Sequence, residues 1–279
     1  MSADAARRFG RNRLALLGLA LVAGLVLVAA AAPLLAPQDP VKQSLFEKRA
    51  RPDAKHLLGA DEFGRDILSR VIYGTRVALL VGTLAAAIAV VAGGALGCVA
   101  GFAGGWLDAT IMRGIEILLA FPYLLLAIAI VSALGPGVVN TTIAVGVWGT
   151  PTVARMVRAS VLALKETEYV RAARALGAGG PALVLRHILP NVLPTLCVYA
   201  TLFMANAVLV EAALSFLGLG VQPPTASWGL MVSTGRDVLL VAPHVATVPG
   251  LAIMLAVLAF NLVGDGLRDA LDPRLRGAA

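Results

Sequence analysis

Long stretches without a charged residue dominate the pattern along this chain. A hydrocarbon core about 30 Å thick is crossed by about 20 helical residues, and every one of these stretches reaches or exceeds that length. They cover residues 14–38, 77–107, 117–154, 188–210, 212–235 and 238–264. The pattern therefore predicts an integral membrane protein built from membrane-spanning helices.

Turn chemistry changes the boundaries of two stretches. Gly135-Pro136-Gly137 and Asn140 divide residues 117–154 into two helices joined by a tight hairpin, and the sequence GLGVQPPTASWG prevents residues 212–235 from forming a full span. The expected fold class is all-α, with about six transmembrane helices. We place them near residues 14–36, 77–103, 109–134, 138–158, 191–214 and 245–266.

Composition supports a membrane protein. Hydrophobic residues make up 59% of the 279 residues and charged residues 14%, whereas a soluble chain has about 25% charged residues. The first apolar stretch follows four arginines, as in a secretory signal, but it is longer than the about 7–15 residues of a signal core. We therefore expect this stretch to be a retained transmembrane helix.

These helices divide the chain into five parts. Residues 1–13 form an N-terminal tail, 14–36 the first transmembrane helix, 37–76 an extramembrane segment, 77–267 a transmembrane core that includes a polar loop at 159–190, and 268–279 a C-terminal tail. With both tails in the cytoplasm, 14 of the 23 lysines and arginines lie on the cytoplasmic side, as the positive-inside rule requires. Segment 37–76 is then extracytoplasmic, although it holds eight of the remaining basic residues.

The net charge of +7 indicates contact with the anionic lipid of the cytoplasmic leaflet rather than with nucleic acid. The two cysteines, Cys98 and Cys197, fall inside predicted spans, so we expect no disulfide framework. His56, His187 and His244 lie in three different segments without the spacing of metal ligands. The sequence therefore predicts neither a metal site nor catalytic residues.

The polar loop contains the segment EYVRAARALGAGGPALVLRHILPN, residues 168–191. Val170, Ala173 and Leu176 recur at helical spacing, and Gly177 follows as a typical C-terminal stop, so residues 168–176 should form a short helix. Glu168 and Arg171 can pair on its other face. A second short helix should begin at Pro181, a favoured first helical position, and end at Ile188.

A short helix outside the membrane with an alanine-rich face suits docking into a groove of another protein. The alternative is that the loop is only a polar connector carrying positive-inside arginines.

Few charged residues lie inside the predicted spans, where burial is costly. Arg113 and Glu116 are three residues apart and should satisfy each other as a pair. Glu211, near the far end of the fifth helix, lines a substrate pathway or anchors the loop that follows. Pro122 should kink the third helix, because proline cannot donate the helical hydrogen bond.

The segment from Gln222 to Ala242 is too short and too polar to span the membrane. We expect a short helix from about Ser227 to Leu240, with Trp228 at the membrane interface. Together with residues 37–76, it offers a landing surface for a protein that delivers substrate. The alternative is a lid without a partner.

Five motifs in order carry a family resemblance. They are HLLGADEFGRDILSRVIYGTRVALLVG (56–82), LLAFPYLLLAI (118–128), the loop from Glu168 to Pro190, EAALSFLGLGVQPPTASWG (211–229) and FNLVGDGLRDALDPRLR (260–276). The chain resembles ABC importer permeases, most closely the C-type subunits of dipeptide, oligopeptide and nickel transporters. The loop matches their signature at Ala172-Ala173, Gly177 and Ile188-Leu189-Pro190. Arg171 departs from it, since it stands where the family has a glutamate.

The resemblance implies a type I ABC importer permease fold and assigns the loop a role in coupling to an ATPase. The residues to which it assigns this role are Glu168, Tyr169, Arg171, Ala172, Ala173, Leu176 and Gly177. It also implies a bacterial inner-membrane location and four kinds of partner: a second homologous permease, two cytoplasmic ATPase subunits, an extracytoplasmic binding protein and membrane lipid.

The chain has no G-x-x-x-x-G-K-[ST] loop, so ATP and Mg should be used by the partner ATPases and not bound here. We therefore expect no enzyme activity in this chain. The resemblance implies import of di- or oligopeptides, with glutathione or a nickel chelate as alternative cargo. Two other classes are a secondary transporter driven by an ion gradient, which would call for inverted repeats and intramembrane carboxylates, and a membrane scaffold that transports nothing.

Overall fold

The computed structural model describes residues 3–271, and that part of the chain is helical with no β-strand. Residues 272–279, most of the predicted C-terminal tail, and residues 1–2 lie outside the described residues. The helices are α1 (Ala3–Arg11), α2 (Arg13–Ala30), α3 (Ala32–Leu35), α4 (Ile67–Ala103), α5 (Gly105–Ala120), α6 (Tyr123–Leu134), α7 (Val138–Leu164), α8 (Glu168–Ala175), α9 (Gly180–Ala182), α10 (Leu189–Phe216), α11 (Trp228–Arg236) and α12 (His244–Leu271). The predicted all-α fold is confirmed.

Four continuous helical stretches in the described part are long and apolar enough to cross a membrane: α2, α4, the stretch from Gly180 to Phe216, and α12. A fifth candidate is the pair α5 and α6, which is bent by 96°. Helix α7 has 27 residues, but threonines, Asn140 and two arginines reduce its hydropathy. Three of its polar side chains, Thr141, Thr142 and Thr150, are buried inside the protein.

Helices α4 and α7 run parallel and pack closely along a glycine stripe. Gly93, Gly97 and Gly101 are spaced four residues apart on α4, and they face successive turns of α7 at Val153, Val157 and Val161. A Cβ atom at Gly93 would lie 2.6 Å from the Thr150 carbonyl oxygen and 2.6 Å from Val153 Cβ. Small residues of this kind let two membrane helices approach to backbone contact.

Helix α4 begins at Ile67, ten residues before the start we expected near residue 77. The reason is Asp66, whose Oδ2 accepts hydrogen bonds from the Ser69 amide at 2.7 Å and the Ser69 hydroxyl at 2.6 Å and so caps the helix. The part of segment 37–76 after Asp66 is therefore helical, and it precedes the apolar stretch that begins at Val77.

Residues 37–66 fold into a compact polar cap over this helix start. His56 is 1% exposed, and its Nδ1 lies 3.0 Å from the second oxygen of Asp66. Arg65 Nε donates to Asp61 at 2.6 Å, and Arg70 donates to the Pro40 carbonyl at 2.9 Å. At the surface of this cap, a hydrogen bond from Lys55 lowers the pKa of Glu47 to about 2.

Contacts between elements define two ends of the helical body. At the first, which we call the cap end, Arg76 donates to the Ala29 carbonyl at 2.6 Å, and His244 lies 3.1 Å from the Ala50 carbonyl. At the second, which we call the α8 end, Lys165 donates to the Gly101 carbonyl at 3.0 Å. Helix α4 connects the two ends, since its first residues lie in the cap and its last lie beside α7 and α9.

Candidate functional site: the α8 loop and the helix break

Helix α8 ends on a glycine in the left-handed region. Gly177 has a φ of +87°, its amide donates to the Arg174 carbonyl at 3.0 Å, and the Ala178 amide donates to the Ala173 carbonyl at 3.1 Å. These bonds close the helix in the manner of a Schellman motif. The structure thus has the expected stop at Gly177, with the helix itself ending at Ala175, one residue earlier than we expected.

The two faces of α8 differ from the grouping that we made on the sequence. Val170 is fully buried and Ala173 packs against the core, but Leu176 is 89% exposed. Leu176 follows the helix, so its side chain leaves the line of Val170 and Ala173. The exposed face is made by Arg171, Ala172, Arg174, Ala175 and Leu176.

Arg171 pairs with a different acid from the one we expected. Its Nη2 donates to Glu166 Oε2 at 2.7 Å, and this hydrogen bond lowers the pKa of the Glu166 carboxyl. Glu168 instead lies in the first turn of α8, where a carboxylate favours the positive end of the helix dipole. The pair with Glu166 therefore ties α8 to the end of α7.

Tyr169 connects α8 to the following helix. Asn191 Nδ2 donates to the Tyr169 hydroxyl at 3.2 Å and to the His187 carbonyl at 2.7 Å. These hydrogen bonds connect α8 to the start of α10, which is a membrane-spanning candidate.

The second short helix that we expected from Pro181 to Ile188 does not end at Ile188. Pro181 lies in α9, a wide π-helical turn covers Leu183–Ile188, and α10 continues from Leu189 without a break. Proline cannot donate a helical hydrogen bond and its ring crowds the preceding turn, and a π turn widens the helix at such a place. The result is one helical stretch from Gly180 to Phe216.

Glu211 anchors the loop that follows α10. It is 2% exposed, and its Oε1 accepts hydrogen bonds from Ser215 and Ser227, both at 2.8 Å. Trp228, which we placed at the membrane interface, is instead buried, and its indole donates to the Val71 carbonyl at 2.9 Å. Helix α11 is thereby fixed to both α10 and α4.

The charges on α5 form the expected pair. Arg113 Nη1 lies 3.4 Å from Glu116 Oε2, and both side chains are exposed. Sequence reasoning missed a stronger pair, in which Arg158 holds Asp108 through two hydrogen bonds of 2.5 and 2.6 Å. The separation of 50 residues explains the omission, because no local pattern connects α5 to α7.

Pro122 does more than kink the third predicted helix. Phe121 has extended backbone angles of −82° and 135°, as favoured for the residue before proline, and α5 and α6 meet at 96°. Beyond the break, four aromatic rings contact one another in a row. The Tyr123 and Trp148 rings are 5.3 Å apart and tilted, the Trp148 and Phe203 rings are 5.2 Å apart and tilted, and the Phe203 and Tyr199 rings stack at 5.8 Å. We call these four residues the aromatic ladder.

Ligating side chains are scattered within the described residues. No group of three or more histidine, cysteine, aspartate or glutamate side chains there is arranged to hold a metal ion. Both cysteines have free thiols. The features that remain for function are the short helix α8 with its exposed face, a folded cap at the other end and a broken helix between them.

Comparison with known proteins gives matches along nearly the whole chain. Residues 93–277 match the family described as the binding-protein-dependent transport system inner membrane component, and residues 1–52 match the N-terminal transmembrane domain of oligopeptide transport permease C.

Three relatives are similar over almost their full length. The chain is 44% identical to a dipeptide transport system permease protein of Alkalihalophilus pseudofirmus, over 98% of this chain and 90% of that protein. It is 47% identical to a di/tripeptide transport system permease protein of Pseudomonas aeruginosa, over 97% and 91%. It is 42% identical to a glutathione transport system permease protein of Pectobacterium atrosepticum, over 97% and 90%.

Proposed function

Because the chain belongs to the family of binding-protein-dependent transport system inner membrane components, we propose that it forms half of the pathway through which an ATP-driven importer moves short peptides across the bacterial inner membrane. The position and the exposed face of helix α8 carry this proposal. This is a short helix outside the membrane spans that is fixed to α7 and α10 and presents an exposed face of alanines and arginines.

The α8 end is the expected ATPase side. A groove on a partner subunit can receive the small side chains of Ala172 and Ala175 together with the exposed Leu176. Closure of two ATPase subunits on ATP and Mg would then push α8, and Tyr169 would transmit the movement to α10. In this scheme the nucleotide is bound by the partners, and the chain itself supplies no catalytic group.

The substrate follows from the relatives. Two of the three proteins compared above are named for di- or tripeptides and one for glutathione, which is itself a tripeptide. The shared chemistry is a short chain of amide bonds with charged ends. A nickel chelate, the other cargo that the resemblance allowed, has no counterpart among those three names.

A second homologous permease would cover the face made by α5 and α6. Within the chain, this face is largely unburied: only Ile115 of α5 and Ala127 and Val131 of α6 are buried. A heterodimer of two permeases with two ATPases would supply the missing half of the pathway.

The cap end is the proposed landing surface for the extracytoplasmic binding protein. Phe46, Leu240 and Val241 are large apolar side chains exposed there, and side chains of this kind can form the apolar core of an interface with a partner protein. Exposed basic residues lie near Phe46 in the sequence and favour an acidic partner surface. They are Lys42, Lys48, Arg49, Arg51 and Lys55.

Two other functions have weaker support. A secondary transporter would use intramembrane carboxylates, but Glu211 is occupied by two serine hydroxyls and Glu116 pairs with Arg113. A scaffold without transport would not need a helix broken within the membrane-spanning region. Neither class accounts for the match to a transport family.

A single cysteine at Ala175 tests the docking helix and the orientation together. In a background with Cys98→Ala and Cys197→Ser, we expect A175C to react with a membrane-impermeant maleimide only from the cytoplasmic side. Ala175 is exposed on the helix face that we assign to the ATPase, so added ATPase subunits should protect it. A cysteine at the exposed Leu240 is the matched control, and it should react from the opposite side without such protection. Labelling of A175C from outside, or equal labelling with and without ATPase, contradicts the proposal.

A further inference from the structure

The break between α5 and α6 lies at the depth of the hydrocarbon core. Helix α6 has 12 residues, so at 1.5 Å per residue the break is about 18 Å from the turn at Gly135. In a core about 30 Å thick, this depth is near the middle of the membrane. Trp148 reaches the same level on α7, since it follows the helix start at Val138 by 10 residues, or about 15 Å.

Backbone groups without hydrogen-bond partners at this depth must be surrounded by protein or by water. Phe121 leaves the helical conformation, and Pro122 has no amide hydrogen, so carbonyl groups at the end of α5 lack their usual helical donors. Residues 119–123 are all exposed on this chain. Irregular backbone in a membrane protein is tolerated where it is buried in protein or lines a water-filled cavity, and not where it faces lipid.

The aromatic ladder begins at this break. Tyr123, the first residue of α6, is 54% exposed, whereas Phe203 is 3% exposed and packs behind it. Trp148 and Tyr199 are half-buried between α7 and α10. The ladder therefore starts in the open space beside the break and continues into the protein, which gives it a rigid base and an accessible edge.

The chemistry of the ladder suits a peptide side chain. Its rings offer apolar faces, and tyrosine hydroxyl and indole N–H groups stand beside them, so an apolar side chain and a neighbouring amide can be held together. No member of the ladder is charged, so it makes no ion pair with a peptide. Ion pairs bind strongly, and a site in a transport pathway must release its peptide. Lipid tails would make no use of the polar groups, and tryptophan that faces lipid favours the interface rather than the middle of the membrane.

We propose that Tyr123, Trp148, Phe203 and Tyr199, together with the carbonyl groups freed at the α5–α6 break, form a transient site in the pathway that holds the apolar or aromatic side chain of an imported peptide. This proposal rests on the proposed function and assigns the site within it. The partner permease closes the other side of the space, and the exposed edge at Tyr123 faces the moving substrate.

Competition between two dipeptides in one preparation tests the site. The complete importer, with its second permease, ATPases and binding protein, is reconstituted in vesicles and supplied with equal amounts of Ala-Phe and Ala-Ala under saturating binding protein. In the Trp148→Leu variant, we expect the ratio of Ala-Phe to Ala-Ala uptake to fall about tenfold, as for a lost contact in an apolar pocket. Trp148→Phe retains a ring and should keep most of the ratio.

Trp106→Leu is the matched control, because Trp106 is 78% exposed on α5 and lies outside the ladder. This variant should leave the ratio unchanged. If uptake of both peptides falls equally in Trp148→Leu, or if the uptake ratio is unchanged, the proposed site is wrong. The proposed importer function would not be affected by either result. If the unmodified importer takes up neither peptide with ATP, then the proposed function itself fails, and the site fails with it.

Discussion

Replacing Gly93 with leucine should prevent the normal packing of α4 on α7. A Cβ atom at this position would lie 2.6 Å from the Thr150 carbonyl oxygen and 3.0 Å from the Ala154 amide nitrogen. Both are backbone atoms, which cannot move aside as a side chain does, so the two helices would have to separate. Overpacking costs about 1–3 kcal/mol in ordinary cores and occasionally more, and we expect the upper part of this range. Thermal unfolding of the purified chain in detergent measures the loss.

Gly94→Leu is the matched control. Gly94 is the next residue on the same helix, and a Cβ atom there meets no atom within 4 Å. Both substitutions favour the helical conformation by about 1 kcal/mol relative to glycine, so this contribution cancels when the two variants are compared. Equal unfolding temperatures for the two variants would contradict the close packing.

Replacing Gly177 with valine should separate ATP hydrolysis from transport. A β-branched residue is strained at a φ of +87°, and the left-handed conformation costs an L-residue roughly 1–2 kcal/mol. The chain after Leu176 would therefore take another direction and disturb the exposed face of α8. Gly177 lies outside the stretches that can span the membrane, so insertion and pairing with the second permease should remain normal. We expect weak ATPase attachment, or ATP hydrolysis that no longer drives uptake, in a transport assay run beside an ATPase assay.

Gly179→Val gives the control for that experiment. Gly179 has a φ of −68°, which valine adopts readily, and a Cβ atom there meets no atom within 4 Å. The variant changes the same loop by the same side chain without the strained angle. Wild-type uptake with wild-type ATP consumption in Gly177→Val would mean that the loop is only a connector.

The sequence predicted the parts of the fold that depend on local patterns. Uncharged stretches revealed the membrane helices because the hydrocarbon core excludes charge, and Gly177 revealed the end of α8 because few other residues tolerate its backbone angles. The start of α4 was missed because its first turns lie in the cap and contain charged residues. An uncharged stretch therefore does not reveal this part of the helix. An aspartate at residue 66 with a serine three residues later was the available signal.

Other features depend on residues far apart in the sequence. Trp228 donates to a carbonyl 157 residues away, and nothing near Trp228 in the chain distinguishes this buried indole from one at the interface. The glycine stripe at Gly93, Gly97 and Gly101 could be recognised in the sequence as small residues at a spacing of four. The sequence did not indicate that this stripe packs against α7. At Pro190 a local pattern was misleading. Proline usually ends a helix, but here a π turn accommodates it and the helix continues.

Uptake by reconstituted vesicles distinguishes an ATP-driven importer from a transporter driven by an ion gradient. The chain, its second permease and two ATPase subunits are inserted in vesicles with Mg-ATP on the ATPase side, and a radiolabelled dipeptide is supplied with its binding protein on the other side. We expect peptide to accumulate only when ATP, ATPases and binding protein are all present, and we expect that an ion gradient does not replace them. Accumulation by vesicles that contain this chain alone, driven by a proton or sodium gradient, would contradict it.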